Sequence, residues 1–294
     1  MKNPARTQNH LNDQGITVYM PTCNRGKLAI RTIESICNQS FKEWELIIVD
    51  DGSVNKAELS SYIMELNDAR IIYCFNTTSR GASYSRNRAI QMASYSYITG
   101  VDDDDVFIGN RLSEFWENRE YLADHSFIYA NDIIVYGDDR DWKLEGQRYK
   151  KPAYSFYKFQ RRNIIGNQVF TYTRRLISEK FDESFVSAQD YECFFRLAVK
   201  YGSPYQLKEC TQVLYADLSR QRISSSKKRV KGYFMFYRKY KHQISKGARK
   251  YHLLLIYMLK RKRLGLKKVL CFTGISTLKL LTNHLLGRSK IFRA

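Results

Sequence analysis

Tyr97-Ile98-Thr99-Gly100-Val101-Asp102-Asp103-Asp104-Asp105 joins a short apolar run directly to four consecutive carboxylates. Such a run reads as a buried strand. Its acidic end falls where a parallel strand leaves its sheet, the edge at which open α/β sheets bind ligands. Four adjacent carboxylates repel one another, so the arrangement is costly unless a cation shares it. In an extended segment Asp102 and Asp104 point to one side, placed to hold a hard divalent ion, Mg2+ or Mn2+, through oxygen ligands. A solvated acidic turn is the competing reading, and the position at a strand end favours the metal.

Three further apolar runs precede this one: Ile16 to Met20, Glu45 to Val49 and Ile71 to Phe75. Between them, Ala29, Ile33, Ile36 and Cys37 fall at i, i+4, i+7 and i+8, and Leu59, Tyr62, Ile63 and Leu66 at i, i+3, i+4 and i+7. Strands alternating with helical segments predict βαβ units and a parallel sheet. The expected fold class is α/β, a Rossmann-like mixed, mostly parallel sheet flanked by helices. After Asp105 the pattern loosens, with an aromatic and basic stretch from Tyr149 to Arg162. Tyr191, Phe194, Phe195 and Ala198 then predict an amphipathic helix with Asp190 in its first turn.

The second strand also ends in acid, at Asp50-Asp51-Gly52-Ser53. A carboxylate there can accept hydrogen bonds from a base N–H or a ribose hydroxyl. For Asp50 the better reading is an Asx turn with Gly52 supplying positive φ. The first strand ends in Pro21-Thr22-Cys23-Asn24-Arg25-Gly26, with neither the spaced glycines of a dinucleotide fingerprint nor a Gly-Lys-Ser/Thr phosphate loop. Hydride transfer and P-loop chemistry are therefore disfavoured. Arg80, Arg86 and Arg88 lead into the strand with the acidic cluster, where one of them can neutralise a diphosphate.

Charge divides the chain. Of its 49 Lys and Arg, 22 lie from Ser219 onward, against none of the 29 Asp and Glu, so the preceding residues hold 27 basic and 29 acidic. A near-neutral body with a basic tail argues against a catalytic domain wrapped around nucleic acid and for a tail that meets an anionic surface. Helical segments are expected in the tail around Tyr251 to Arg263 and Leu266 to Leu286. Neither has the 18 uninterrupted apolar residues of a membrane span. Two readings of the tail stay open: it lies on an anionic membrane face, or it packs on the catalytic domain with a solvated basic face. The six cysteines lack zinc-ligand spacing, and Met1 to Gly15 is polar with no apolar export segment, so the expected location is the reducing cytoplasm.

Four stretches resemble the family 2 glycosyltransferases: ITVYMPTCNR (16–25), SICNQSFKEWELIIVDDGS (35–53), RGASYSRNRAIQMASYSYITGVDDDD (80–105) and FDESFVSAQDYECFFRL (181–197). The resemblance spans Ile16 to about Leu197 and implies the GT-A fold. It divides the chain into a polar segment (1–15), a nucleotide-sugar-binding half (16–105), an acceptor-binding half (106–218) and a basic helical extension (219–294). It implies that Thr22, Asn24 and Asp51 line a uridine pocket, with Asp51 on the base. Arg86 lies near the donor, and Pro21, Arg25, Asp102 and Asp103 complete the donor set. Asp102 and Asp104 match the ends of the family's DxD element, which binds the donor diphosphate through Mn2+ or Mg2+, and Asp190 matches the general base of inverting members.

The implied reaction moves a sugar from a UDP-sugar to a saccharide acceptor, lipid-linked if the tail lies on the inner face of the cell membrane. Two residues depart from the pattern. Gln189 stands where many members carry Glu, and no His lies between His125 and His242 to supply a further metal ligand. The metal is then expected to depend on Asp104, the diphosphate and water. At a helix N-terminus Asp190 is expected to stay ionised through the helix dipole, although an N-terminal cap is the alternative role for an Asp there. A metal-dependent nucleotidyltransferase is the nearest rival, and a nucleic-acid-binding module leaves the acidic cluster unexplained.

Overall fold

The structure is a computed structural model and describes residues 11–136, 147–216 and 226–259. Strand β1 (Asn12–Thr22) is followed by helix α1 (Gly26–Cys37), β2 (Trp44–Asp50), α2 (Ala57–Leu66), β3 (Ile71–Phe75), α3 (Ala82–Gln91) and β4 (Tyr95–Gly100). Next come β5 (Val106–Phe107), α4 (Arg111–Glu117), a 3-10 turn (Arg119–Ala123), β6 (Ile128–Tyr136), β7 (Gln147–Tyr149) and α5 (Phe156–Phe159). Then follow β8 (Phe170–Tyr172), α6 (Thr173–Glu179), α7 (Gln189–Tyr201), β9 (Tyr205–Ala216), α8 (Ser226–Tyr240) and α9 (Lys246–Leu259).

The strands form one sheet in the order β3-β2-β1-β4-β8-β6-β9-β5, with β7 beside β6. β3, β2, β1 and β4 run parallel. β8 pairs antiparallel with both β4 and β6, while β9 runs parallel to β6 and β5 antiparallel to β9. The expected mixed, mainly parallel sheet is therefore present, with the reversal at β8.

Because side chains alternate across a strand, the fully buried central strands feed two cores. Val18, Met20, Leu46 and Ile48 pack on Ala29, Ile33 and Ile36 of α1 on one face. Tyr19, Ile47, Val49 and Ile98 pack with Ala89 of α3 and Phe194 and Phe195 of α7 on the other. In register Thr22 lies opposite Asp50, and Asp50 opposite Phe75. The acidic loops thus emerge along one sheet edge.

Three expectations change. Asp102 to Asp105 is a turn and not an extended segment, closed by the Asp105 N–H donating to the Asp102 carbonyl at 3.1 Å. The alternation survives the turn, with side-chain exposures of 27% at Asp102 and 36% at Asp104, while Asp103 and Asp105 are buried. Second, the basic region holds a helix, α8, with no counterpart in the sequence reading, and the helix expected from Tyr251 begins at Lys246. The segment Leu266 to Leu286 lies outside the described residues. Third, the alternative role of Asp190 as a cap falls away: Ala188 is the N-cap residue of α7, no side chain caps that helix, and Asp190 lies in its first turn as expected.

Candidate active site

Asp50 closes an Asx turn by accepting from the Ser53 N–H at 2.7 Å, with Gly52 at φ +77. Asp51 then turns inward against the loop before α3. Its Oδ1 accepts from Asn76 Nδ2 (2.8 Å), the Arg80 N–H (2.9 Å) and Ser85 Oγ (3.1 Å), and its Oδ2 from Ser79 Oγ (2.7 Å) and the Gly81 N–H (2.8 Å). Burial opposes the charge, but these donors hold the carboxyl below its usual range. Five donors occupy both oxygens, so a direct bond from Asp51 to a nucleotide base requires exchange of one of them. The primary structural work of Asp51 is to shape the loop over residues 79–81.

Asn24, at φ +55, pins the end of β1 to the same corner. Its N–H donates to Ser53 Oγ at 2.7 Å, and its Oδ1 accepts from the Val54 N–H at 2.8 Å. Pro21, opposite Val49, is the last buried step of β1 before Thr22. Thr22 Oγ1 donates to Asp103 Oδ2 at 2.8 Å, and Arg25 Nη1 spans Asp103 Oδ1 (2.9 Å) and Asp104 Oδ2 (2.8 Å). Thr22 and Arg25 thus meet the acidic turn, and Asn24 meets the loop that follows Asp51.

The four carboxylates are shared among internal donors. Asp102 accepts from Arg86 Nη2 (2.9 Å), Gln168 Nε2 (3.1 Å) and Asn167 Nδ2 (2.9 Å). Asn167 also donates to Asp105 at 2.6 Å, and Gln212 Nε2 to Asp105 at 2.8 Å. Burial pushes Asp103 up to about 6, against the lowering effect of Arg25, and burial followed by Asp102 and Asp104 drives Asp105 well above its ordinary value. Repulsion across the turn is thus relieved by arginines and amides, while burial raises the proton affinity of the two inward carboxyls.

Asp190 joins this corner through Arg86. The nearly buried guanidinium donates to Gln189 Oε1 at 3.2 Å and stands 3.6 Å from Asp190 Oδ1. Among the described residues that buried oxygen accepts no hydrogen bond. Burial raises Asp190 to about 6, Arg86 opposes the rise and Asp102 adds to it. Desolvation thus acts against the helix dipole expected to keep this group ionised.

Asp102 and Asp104 are the outward members of the turn, and one cation already sits on Asp104 in the form of Arg25. The donor set, hard oxygens in an acidic turn that attracts positive charge, fits Mg2+ or Mn2+. No group of three His, Cys, Asp or Glu able to hold a metal occurs among the described residues, so the remaining ligands would come from a diphosphate and water. Asn76, Ser79, Ser85, Asn167, Gln168 and Gln212 escaped the sequence reading. Single amides and hydroxyls carry no periodic signal.

A parallel half ending in an acidic corner, joined through a mixed half to one carboxylate on a helix, is the plan of glycosyltransferases with the GT-A fold. The chain belongs to glycosyl transferase family 2, whose model matches residues 17–184. It is 42% identical over 277 residues, 94% of this chain and 99% of the relative, to WcaA of Escherichia coli K12, which is named as a colanic acid biosynthesis glycosyl transferase. Another relative, 27% identical over 62% of this chain and 68% of its own length, is the UDP-Glc:alpha-D-GlcNAc-diphosphoundecaprenol beta-1,3-glucosyltransferase WfgD of Escherichia coli.

Two solved structures share the fold. TarS of S. aureus in complex with UDP matches with TM-score 0.62 and 15% identity over 84% of this chain and 73% of that one. The mannosyltransferase PcManGT of Pyrobaculum calidifontis, in complex with GDP-Man and Mn2+, matches with TM-score 0.63 and 13% identity over 98% of this chain and 86% of that one.

Proposed function

We propose that this glycosyltransferase moves a sugar from a UDP-sugar to a lipid-linked saccharide by a single inverting displacement, with Asp190 as base. The observation that carries the reading is the position of Arg86, in contact with Asp102 of the acidic turn and beside Asp190. One buried cation thereby links the corner suited to a diphosphate with the carboxylate suited to a proton. The UDP donor and undecaprenol-linked acceptor in the name of WfgD, the UDP bound by TarS and the Mn2+ bound by PcManGT support the same chemistry.

In this reading the loop held by Asp51 and the Asn24 turn receive the uridine, and Arg25 and Arg86 face the diphosphate. Mn2+ or Mg2+ at Asp102 and Asp104 would supply Lewis-acid stabilisation of the leaving diphosphate. The Asp190 carboxyl, 24% exposed, accepts the proton of the attacking hydroxyl, and Arg86 stabilises its charge beforehand. General-base assistance of this kind contributes roughly 10² to 10⁴ in rate.

The basic extension is assigned to an anionic membrane surface on the cytoplasmic side, where a lipid-linked acceptor resides. The inner face of α8 packs on the catalytic domain, as the competing reading of the tail has it, while Lys228, Lys231, Phe234 and Arg238 are exposed on its outer side and in this proposal meet the anionic surface. Among the described residues no helix is long and apolar enough to cross a membrane. The deciding experiment is a panel of UDP-sugars with Mn2+, read as UDP released by slow donor hydrolysis. Release from at least one UDP-sugar, absent without metal, is expected; no release from any of them, with GDP-sugars turned over instead, overturns the assignment.

A further inference from the structure

The residues on either side of Asp190 are gripped by α8. Ser187 Oγ donates to the Lys228 carbonyl at 2.8 Å. Gly232 lies so close to Ser187 that a Cβ there would stand 2.3 Å from its Oγ and 2.5 Å from its carbonyl oxygen. Glycine is a weak choice inside a helix, and close approach is the physical reason for it here. On the other side of Asp190, the Tyr191 ring stacks on Phe236 with centroids 4.2 Å apart. The fully buried Glu192 accepts from Lys239 Nζ (2.8 Å) and the Tyr240 hydroxyl, both on α8, as well as from Arg196 Nε (2.8 Å).

Lys239 also reaches Asp182 at 2.6 Å, so a single ammonium ties the loop before α7 to the first turn of α7. Between these anchors Ala188 holds φ +59, a conformation unfavourable to a residue with a Cβ and kept only where the surroundings enforce it. The donor corner is held by other elements: β1, the loop after β2, α3 and the segment before β8. Displacement of α8 would therefore move Asp190 and leave the donor carboxylates in place.

We propose that α8 is the positioning element for the catalytic carboxylate, with Gly232 and Lys239 as positioning residues that fix Asp190 against Arg86. The inference rests on the reading of Asp190 as the base. It gives the basic extension a role in turnover that is separate from any role at a membrane.

The test uses the full chain carrying Gly232→Ala, Lys239→Met or Lys239→Arg, with Mn2+ and the UDP-sugar of the panel that is hydrolysed fastest. Steady-state kinetics give kcat and the donor KM, and calorimetry gives UDP affinity. Gly232→Ala and Lys239→Met are expected to lower kcat by ~10-fold or more, since small misplacements of a reacting group are costly. Donor KM and UDP affinity should stay within about twofold, the pattern of a lost transition-state interaction, and Lys239→Arg should recover most of kcat.

Wild-type kcat in both Gly232→Ala and Lys239→Met overturns the proposal, as does a fall of kcat and UDP affinity together. If Gly232→Ala does not fold, the two Lys239 variants decide. Asp190→Asn is measured alongside. Its inactivity with fully active α8 variants sinks the positioning role alone, whereas an active Asp190→Asn sinks both that role and the base.

Discussion

Arg86 Nη1 stands 3.6 Å from Asp190 Oδ1, too far for a hydrogen bond and near enough to stabilise its charge. The carboxylate is thus held beside a cation while its side chain keeps 24% exposure, the arrangement that the proposed base requires. Asp190→Asn keeps the size of the group and removes the basic oxygen. Transfer is expected to fall by roughly 10² to 10⁴ while UDP affinity with Mn2+ changes little, as calorimetry would read. Near wild-type turnover by the variant would remove Asp190 from the mechanism.

The elevated Asp190 carboxyl gives turnover a direction with pH. Only the ionised form can take a proton, so kcat should rise through pH of about 6, where burial places this group, and level off above it. Stability runs the other way. Asp103 and Asp190 both hold their protons more tightly folded than unfolded, rising from 3.8 to about 6. Their stabilising contribution is complete below the unfolded value and is lost as pH climbs through 6. A pH series of donor hydrolysis beside a series of thermal melts separates the two, and a kcat that declines across this window would contradict the base assignment.

The sequence made the parallel half legible because its central strands, buried on both faces, read as continuous apolar runs and its first two helices repeat apolar residues at a period of 3.6. Helix α3 was not legible for the same reason: its buried positions include Ser83, Ser85, Arg86 and Asn87, polar groups that serve the site and erase the apolar stripe. Helix α8 presents Gly232, Phe236 and Tyr240 inward among aromatics on other faces, so its buried stripe is blurred. The acidic cluster was visible as charge, but its partners were not. Asn167 and Gln168 lie far from Asp102 along the chain, and no spacing rule connects a loop amide to the carboxylate it will meet.

Arg25 pairs with Asp104 at 2.8 Å, one of the two carboxylates proposed to hold a divalent ion, so the two cations should compete. Asp104→Ala is expected to abolish the gain in UDP affinity that Mn2+ provides. Arg25→Ala is expected to act in two directions: stronger binding of Mn2+ in the absence of nucleotide, because a rival charge is gone, and weaker binding of UDP, because a diphosphate partner is gone. Calorimetric titration of each variant with Mn2+ alone and then with UDP reads both. Unchanged Mn2+ affinity in Arg25→Ala would show that the metal does not use this carboxylate.

The basic extension offers the last test, because its two parts can be separated. Helices α8 and α9 carry buried contacts to the domain, Tyr191 on Phe236 and the Gln160 carbonyl 2.8 Å from His252 Nε2, so removing them would damage the fold and blur the result. Residues 260–294 contribute further Lys and Arg with no Asp or Glu. A chain ending at Leu259 therefore keeps the packed helices and loses much of the charge. Each basic residue near an anionic bilayer contributes about 1 kcal/mol, so that loss should abolish flotation with phosphatidylglycerol vesicles in low salt. Donor hydrolysis in solution, which needs no bilayer, should remain. Flotation equal to that of the full chain would take residues 260–294 out of membrane binding and leave only the outer face of α8 to account for it.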